Sequence, residues 1–138
     1  MGIDVGTRRV GLAISDVTAT IARPLTTVLV NDSFDAVTRV VAEVERLASD
    51  EDGLASIVVG LPTRLDGSSS EQTACIVAFI DALAAHTALP IVGVDERLTS
   101  REAESRLARR ERDWRKRKKR LDAAAAAIIL QEYLDRGP

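Results

Sequence analysis

The chain has 138 residues, 46% of them hydrophobic and 29% charged, enough for a single domain with a continuous core and no need of metal or disulfide staples. No apolar run approaches the roughly 20 residues that span a bilayer, no basic start leads into an apolar signal core, and one cysteine cannot form an internal disulfide; the composition therefore argues against a membrane protein and a disulfide-bonded secreted scaffold, and for the reducing cytoplasm. The formal net charge of −2 is unevenly spread: residues 106–120 carry ten Lys or Arg against Glu111 and Asp113, so a short cationic segment rides on an acidic body, a pattern suited to a polyanionic partner.

In chain order, Met1 to Asp16 reads as strand, tight turn, strand. Ile3 and Val5 flank Asp4, and Val10, Leu12 and Ile14 alternate as on one face of a buried strand. Gly6 and Gly11 bracket the turn, where a missing Cβ permits positive φ or close approach of a backbone or a phosphate. A third strand runs over Ile21–Val30. Asn31, Asp32 and Ser33 then offer capping oxygens to a helix over Phe34–Ser49, whose Val37, Val40, Val41, Val44 and Leu47 recur at helical spacing. The apolar run Leu54–Leu61 predicts a strand covered on both faces. It is followed by a Gly- and Ser-rich loop, Pro62–Ser70, suited to a phosphate oxygen or to capping by Ser70. A helix over Thr73–His86 comes next, with Cys75 expected in its packed face and His86 exposed at its end. Pro90–Val94 is a further buried strand, ending at Asp95-Glu96-Arg97. A helix over 98–109, a mobile basic loop around 110–118 and an Ala-rich helix over Leu121–Leu134 close the chain. Three meandering strands followed by two strand–helix crossovers predict an α/β domain over 1–138, a mixed five-stranded sheet flanked by helices.

Sites in such sheets form beyond the carboxyl ends of the parallel strands. Asp4, at the end of strand one, Asp95 and Glu96, at the end of strand five, and Asp122, in the first turn of the last helix, are thereby directed to one rim. Clustered carboxylates repel unless cations hold them, and hard oxygen ligands select Mg²⁺ or Mn²⁺. Two such ions activate water and stabilise a leaving oxygen in phosphodiester hydrolysis. Alternation along a strand lets only one of Asp95 and Glu96 point straight at such a site. Arg115, Lys116, Lys118 and Lys119 supply non-specific phosphate affinity, with Trp114 available to stack on an unpaired base.

Four blocks, GIDVGTRRVGLAISD, IVVGLPTRLDGSSSEQT, VDERLTSREAE and KKRLDAAAAAIILQEYLD, resemble those of the YqgF/RuvX family of RNase H-like nucleases, in the family's order and over nearly the whole chain. The resemblance implies an RNase H-like fold of strand order 3-2-1-4-5 with strand two antiparallel. It also implies a metal-dependent nuclease that matures the 5′ end of precursor 16S ribosomal RNA or, in another description of the family, resolves Holliday junctions. Its acids correspond to Asp4, to Asp95 or Glu96, and to Asp122, and Arg97, Thr99 and either Arg8 or Arg9 are implied as substrate contacts. The family has several residues before its GID block, where here Met1 directly precedes Gly2, which makes strand one short at its amino end.

Three functions compete. A nuclease acting on structured RNA, as a monomer or weak homodimer, cleaves with a divalent metal; a resolvase needs two sites and hence a dimer on four-way DNA. A non-catalytic RNA-binding assembly factor binds with steep salt dependence and cleaves nothing. The GIDVGT block also fits the phosphate loop of a sugar-kinase-like ATPase, but that fold needs a second domain to enclose nucleotide.

Overall fold

A computed structural model describes residues 1–62, 71–95 and 114–136, with side chains of the last stretch described from Asp122 onward. Five strands, β1 (Gly2–Val5), β2 (Arg9–Ser15), β3 (Ala22–Leu29), β4 (Ile57–Leu61) and β5 (Ile91–Asp95), form one sheet in the order β3-β2-β1-β4-β5. β2 is antiparallel to both β1 and β3, whereas β4 runs parallel to β1 and β5 parallel to β4. Three helices are described: α1 (Ser33–Ala48), α2 (Glu71–Ala84) and α3 (Trp114–Arg136). None is long and apolar enough to cross a membrane.

The short first strand is not frayed at its amino end. Val58 N–H donates to the Met1 carbonyl at 2.8 Å, and the Met1 ammonium donates to the Ser56 carbonyl at 3.1 Å, so the ladder starts at the first residue. Burial pushes that amine down from 8.0 to about 6, because a charged group loses hydration there. At α1, Asp32 accepts from the Asp35 N–H at 2.7 Å while Asp35 accepts from the Asn31 N–H at 2.8 Å, a reciprocal cap that satisfies two otherwise orphaned donors.

The two faces of the sheet are packed differently. One carries Ile3, Val10, Leu12, Ile57 and Val59 against Ala36, Val40 and Val44 of α1 and Ile76, Phe79 and Leu83 of α2. The other carries Ala13, Val58 and Val94 against Ala126, Ala127, Ile129 and Leu130 of α3. Gly2 and Gly11 lie on this second face. A Cβ on Gly2 would fall 2.7 Å from the Ala126 carbonyl oxygen, and one on Gly11 only 1.9 Å from that of Asp122. Both glycines are therefore needed for close approach of α3. Neither Gly6 nor Gly11 adopts the positive φ that the turn suggested, a conformation found at Gly53 and Ala19 among the described residues.

Two expectations are corrected. The final helix starts at Trp114, not Leu121, so 114–118 is helical rather than loop. Lys and Arg are good helix formers, and here they extend a helix already packed through its Ala-rich half; residues 110–113 lie outside the described residues. Cys75 is exposed, because the inward positions of α2 are Ile76, Phe79 and Leu83 and a one-residue step rotates Cys75 by about 100° off that stripe. The helix expected over 98–109, the loop over 63–70 and the side chains of Arg115, Lys116, Lys118 and Lys119 lie outside the described residues.

Candidate active site at the end of strand one

Asp4 pairs directly with Gly11 across the antiparallel ladder, and directly opposed residues project from the same face of a sheet. Ile3 and Val5 pack on the α1/α2 side, so alternation also directs Asp4 to the α3 side. Gly11, beside it, is where the Asp122 backbone rests. The register and the missing Cβ thus bring a carboxylate of the first strand and one of the last helix together at the carboxyl end of β1. Asp4 is half-buried.

Arg9 occupies the same face two residues before Gly11. Its Nε lies 2.8 Å from Asp122 Oδ2, with the side chains 30% and 23% exposed, and that oxygen is shielded from solvent. The guanidinium thus partly neutralises the Asp122 carboxylate. The β1–β2 turn holds Arg9 in place, with Gly6 N–H donating to its carbonyl at 2.9 Å. A Cβ on Gly6 would sit 2.5 Å from that carbonyl oxygen, so this turn too requires glycine. Arg8 is exposed in the turn, and its carbonyl accepts from the Val30 N–H at 2.9 Å.

The axial position of α3, and with it of Asp122, is set at the helix's other end by Gln131. Its Oε1 accepts from the Ala22 N–H at 2.8 Å and its Nε2 donates to the Thr20 carbonyl at 2.9 Å. Sequence reasoning missed this clamp, since its partners lie 109 and 111 residues away. Only its place in the apolar stretch IILQEYL marked it as a polar residue with a reason to be there.

Asp95 stands on the other face of the sheet by register. It is paired with Leu61, and Gly93, two residues before it, faces the Leu61 side chain. Leu61 and Ile91 belong to the α1/α2 face and Val94 to the α3 face, so alternation directs Asp95 away from Asp4. Glu96, Arg97 and Thr99 lie outside the described residues. At the opposite end of β1 a groove of about 1010 Å³ is lined by Met1, Asp16, Arg23, Asp50 and Tyr133 among others; its mixed charges lie a strand's length from the Asp4–Asp122 pair.

The RuvX family model, described as Holliday junction resolvase, matches residues 1–136. The chain belongs to the RuvX family. Among its relatives, a protein of Chloroflexus aggregans named "Putative pre-16S rRNA nuclease" is 46% identical over 135 residues, covering 98% of this chain and 92% of its own. One of the same name from Caldanaerobacter subterraneus is 40% identical over 136 residues, covering 98% and 94%. In fold the RuvX chain is similar to T. thermophilus RuvC, solved with a Holliday junction substrate, at a TM-score of 0.55 and 18% identity, with 98% of this chain and 92% of that one covered. At that identity the likeness speaks for the RNase H-like fold.

Proposed function

We propose that this RuvX chain is a divalent-metal-dependent nuclease that hydrolyses phosphodiester bonds of structured RNA in the cytoplasm, with the 5′ end of precursor 16S rRNA as its substrate. The observation that carries the proposal is the convergence of Asp4 and Asp122 at the Gly11 crossing. Hard, charged oxygen donors of this kind fit Mg²⁺ or Mn²⁺ rather than softer metals, and the guanidinium of Arg9 on Asp122 marks the position as one that accepts positive charge. Asp4 and Asp122 are assigned as ligands. Because Asp95 is directed to the other face, Glu96 is assigned as the third ligand. The chemistry that a pair of such ions supplies is activation of water and stabilisation of the leaving oxygen.

The chain's own residues supply position and charge. Gly11 and Gln131 seat Asp122, and the sheet holds Asp4. Arg8 and Arg9 contact the scissile strand, as do Arg97 and Thr99, and Arg115, Lys116, Lys118 and Lys119 hold the flanking phosphates. The names of the relatives favour RNA. Cleavage of four-way DNA junctions is the second reading, favoured by the family's description as a resolvase.

One assay separates the two: incubation with a precursor 16S rRNA fragment and with a four-way DNA junction, each with Mg²⁺ or Mn²⁺. The expected result is RNA cleavage that Asp4→Asn lowers by ~10²-fold or more, about 2.7 kcal/mol of transition-state stabilisation, with unchanged melting temperature. Wild-type cleavage by Asp4→Asn overturns the assignment. Binding of RNA without cleavage under either metal replaces it with the assembly-factor function.

A further inference from the structure

The nuclease reading assigns Arg9 to the substrate, yet its guanidinium lies on Asp122, Nε to Oδ2 at 2.8 Å. Both roles cannot be filled at once. A divalent cation needs the carboxylate oxygens of Asp122. The Oδ2 atom is closed to solvent, so a cation reaching it enters the space beside Arg9, and two positive centres sharing one carboxylate repel. Asp122 has little room to turn away, because its backbone is pressed against Gly11 and its helix is clamped through Gln131. Arg9 is the longer and more exposed partner: its side chain is 30% exposed against 23% for Asp122, and it stands at the first residue of β2, beside the exposed turn. Its planar fork matches two oxygens of a phosphate as well as those of a carboxylate.

We infer that Arg9 is an exchangeable counter-ion: it neutralises Asp122 while no metal is bound there, and it transfers to a substrate phosphate when a divalent cation takes Asp122, so that metal and nucleic acid bind cooperatively. This rests on the nuclease reading above. Linkage makes the coupling reciprocal: whatever a phosphate gains by drawing Arg9 away, the cation gains in affinity for Asp122, and the reverse. A polyanion bound at the basic surface thus primes the carboxylates, and in its absence the arginine keeps them poorly loaded. The exchange guards against metal-driven cleavage with no substrate seated.

The test is calorimetric titration of Ca²⁺ into the whole protein, alone and with a short 2′-O-methyl RNA hairpin as a cleavage-resistant polyanion. For the wild type the hairpin is expected to raise Ca²⁺ affinity roughly 5- to 10-fold, within the usual range of such couplings. Arg9→Gln is expected to bind Ca²⁺ tighter by a similar factor without RNA, and to lose the RNA effect. Arg9→Lys, which keeps the charge but not the fork, is expected to keep wild-type Ca²⁺ affinity while binding the hairpin more weakly. Arg23→Gln removes the same charge at the groove on the opposite end of β1 and is expected to leave Ca²⁺ affinity unchanged. Equal gains from Arg23→Gln and Arg9→Gln would show plain electrostatics and overturn the exchange, as would an RNA effect that survives in Arg9→Gln. Asp122→Asn separates this inference from the one beneath it. If that variant loses Ca²⁺ while Arg9→Gln stays at wild-type affinity, the exchange alone is wrong; if it binds Ca²⁺ normally, the metal assignment falls and the exchange with it.

Discussion

The two faces of the sheet solve different problems with different residues. Toward α1 and α2 the strands present Ile3, Val10, Leu12, Ile57 and Val59, all fully buried, and each such side chain contributes about 1.5–3 kcal/mol relative to exposure. Toward α3 they present Gly2, Gly11 and Ala13 under Ala126 and Ala127. Small residues bury less area per position, but they let a helix backbone approach the sheet. The first face holds the domain together, and the second gives up hydrophobic burial to set Asp122 beside Asp4. On the proposed function, stability and chemistry are divided between the two sides of the same strands, so alternate residues of β2 serve different ends.

Adjacent positions on that strand make the sharpest test. Gly11→Ala would place a methyl 1.9 Å from the Asp122 carbonyl oxygen and 2.2 Å from its carbon, which forces the start of α3 off the sheet. Cleavage is expected to fall ~10²-fold or more, in line with the cost of an ångström-scale displacement of a positioned group. Stability is expected to fall by about 1–3 kcal/mol, as overpacking does. Retention of full activity would show that close approach of α3 is irrelevant to the site. Leu12→Ala, one residue on, is expected to do the reverse. It removes about 2–5 kcal/mol of stability through lost burial and a cavity, while the molecules that remain folded cleave at the wild-type rate per folded protein. Chemical denaturation followed by activity assays below the transition checks both, and loss of activity in folded Leu12→Ala would break the division between faces.

A smaller effect lies in the Met1 amine, which packs with the α1/α2 face. Its folded pKa is about 6 against an unfolded value of 8.0. Between those values the unfolded chain holds more protons, so stability falls as pH drops from 8 to 6. The loss is at most about 3 kcal/mol by linkage, and it levels off below the folded value. For the chain beginning at Met1, urea midpoints at the two pH values should converge when the amine is acetylated. An unchanged pH slope after acetylation would remove Met1 from the account.

Much of this architecture was legible in the chain. Period-two alternation in β2 and the spacing of Val40, Val44 and Leu47 in α1 identified inward faces, because burial demands apolar residues at the element's own period. The order of strands and crossovers implied a mixed sheet, which the structure has. Less legible was the basic segment, where charge suggested a loop although Lys and Arg favour helix once a packed neighbour extends into them. Cys75 was misjudged because one residue's rotation on α2 separates the core from the surface. Gly11 was recognised as a place of close approach, but what approaches, the backbone of a helix 111 residues further on, is recorded nowhere near it in the chain.

The sequence by itself therefore determined which elements form, which face of each is apolar, and that acids stand at the ends of β1, β5 and the start of α3's Ala-rich half, because propensity and patterning act over a few residues. Only the tertiary structure decided that Asp4 and Asp122 share a face while Asp95 is directed to the other, that Arg9 is the cation on Asp122, and that Gln131 sets the helix from its far end. Those choices depend on strand register and on how near α3 comes to the sheet, distances that contacts between remote segments establish and that no local pattern encodes.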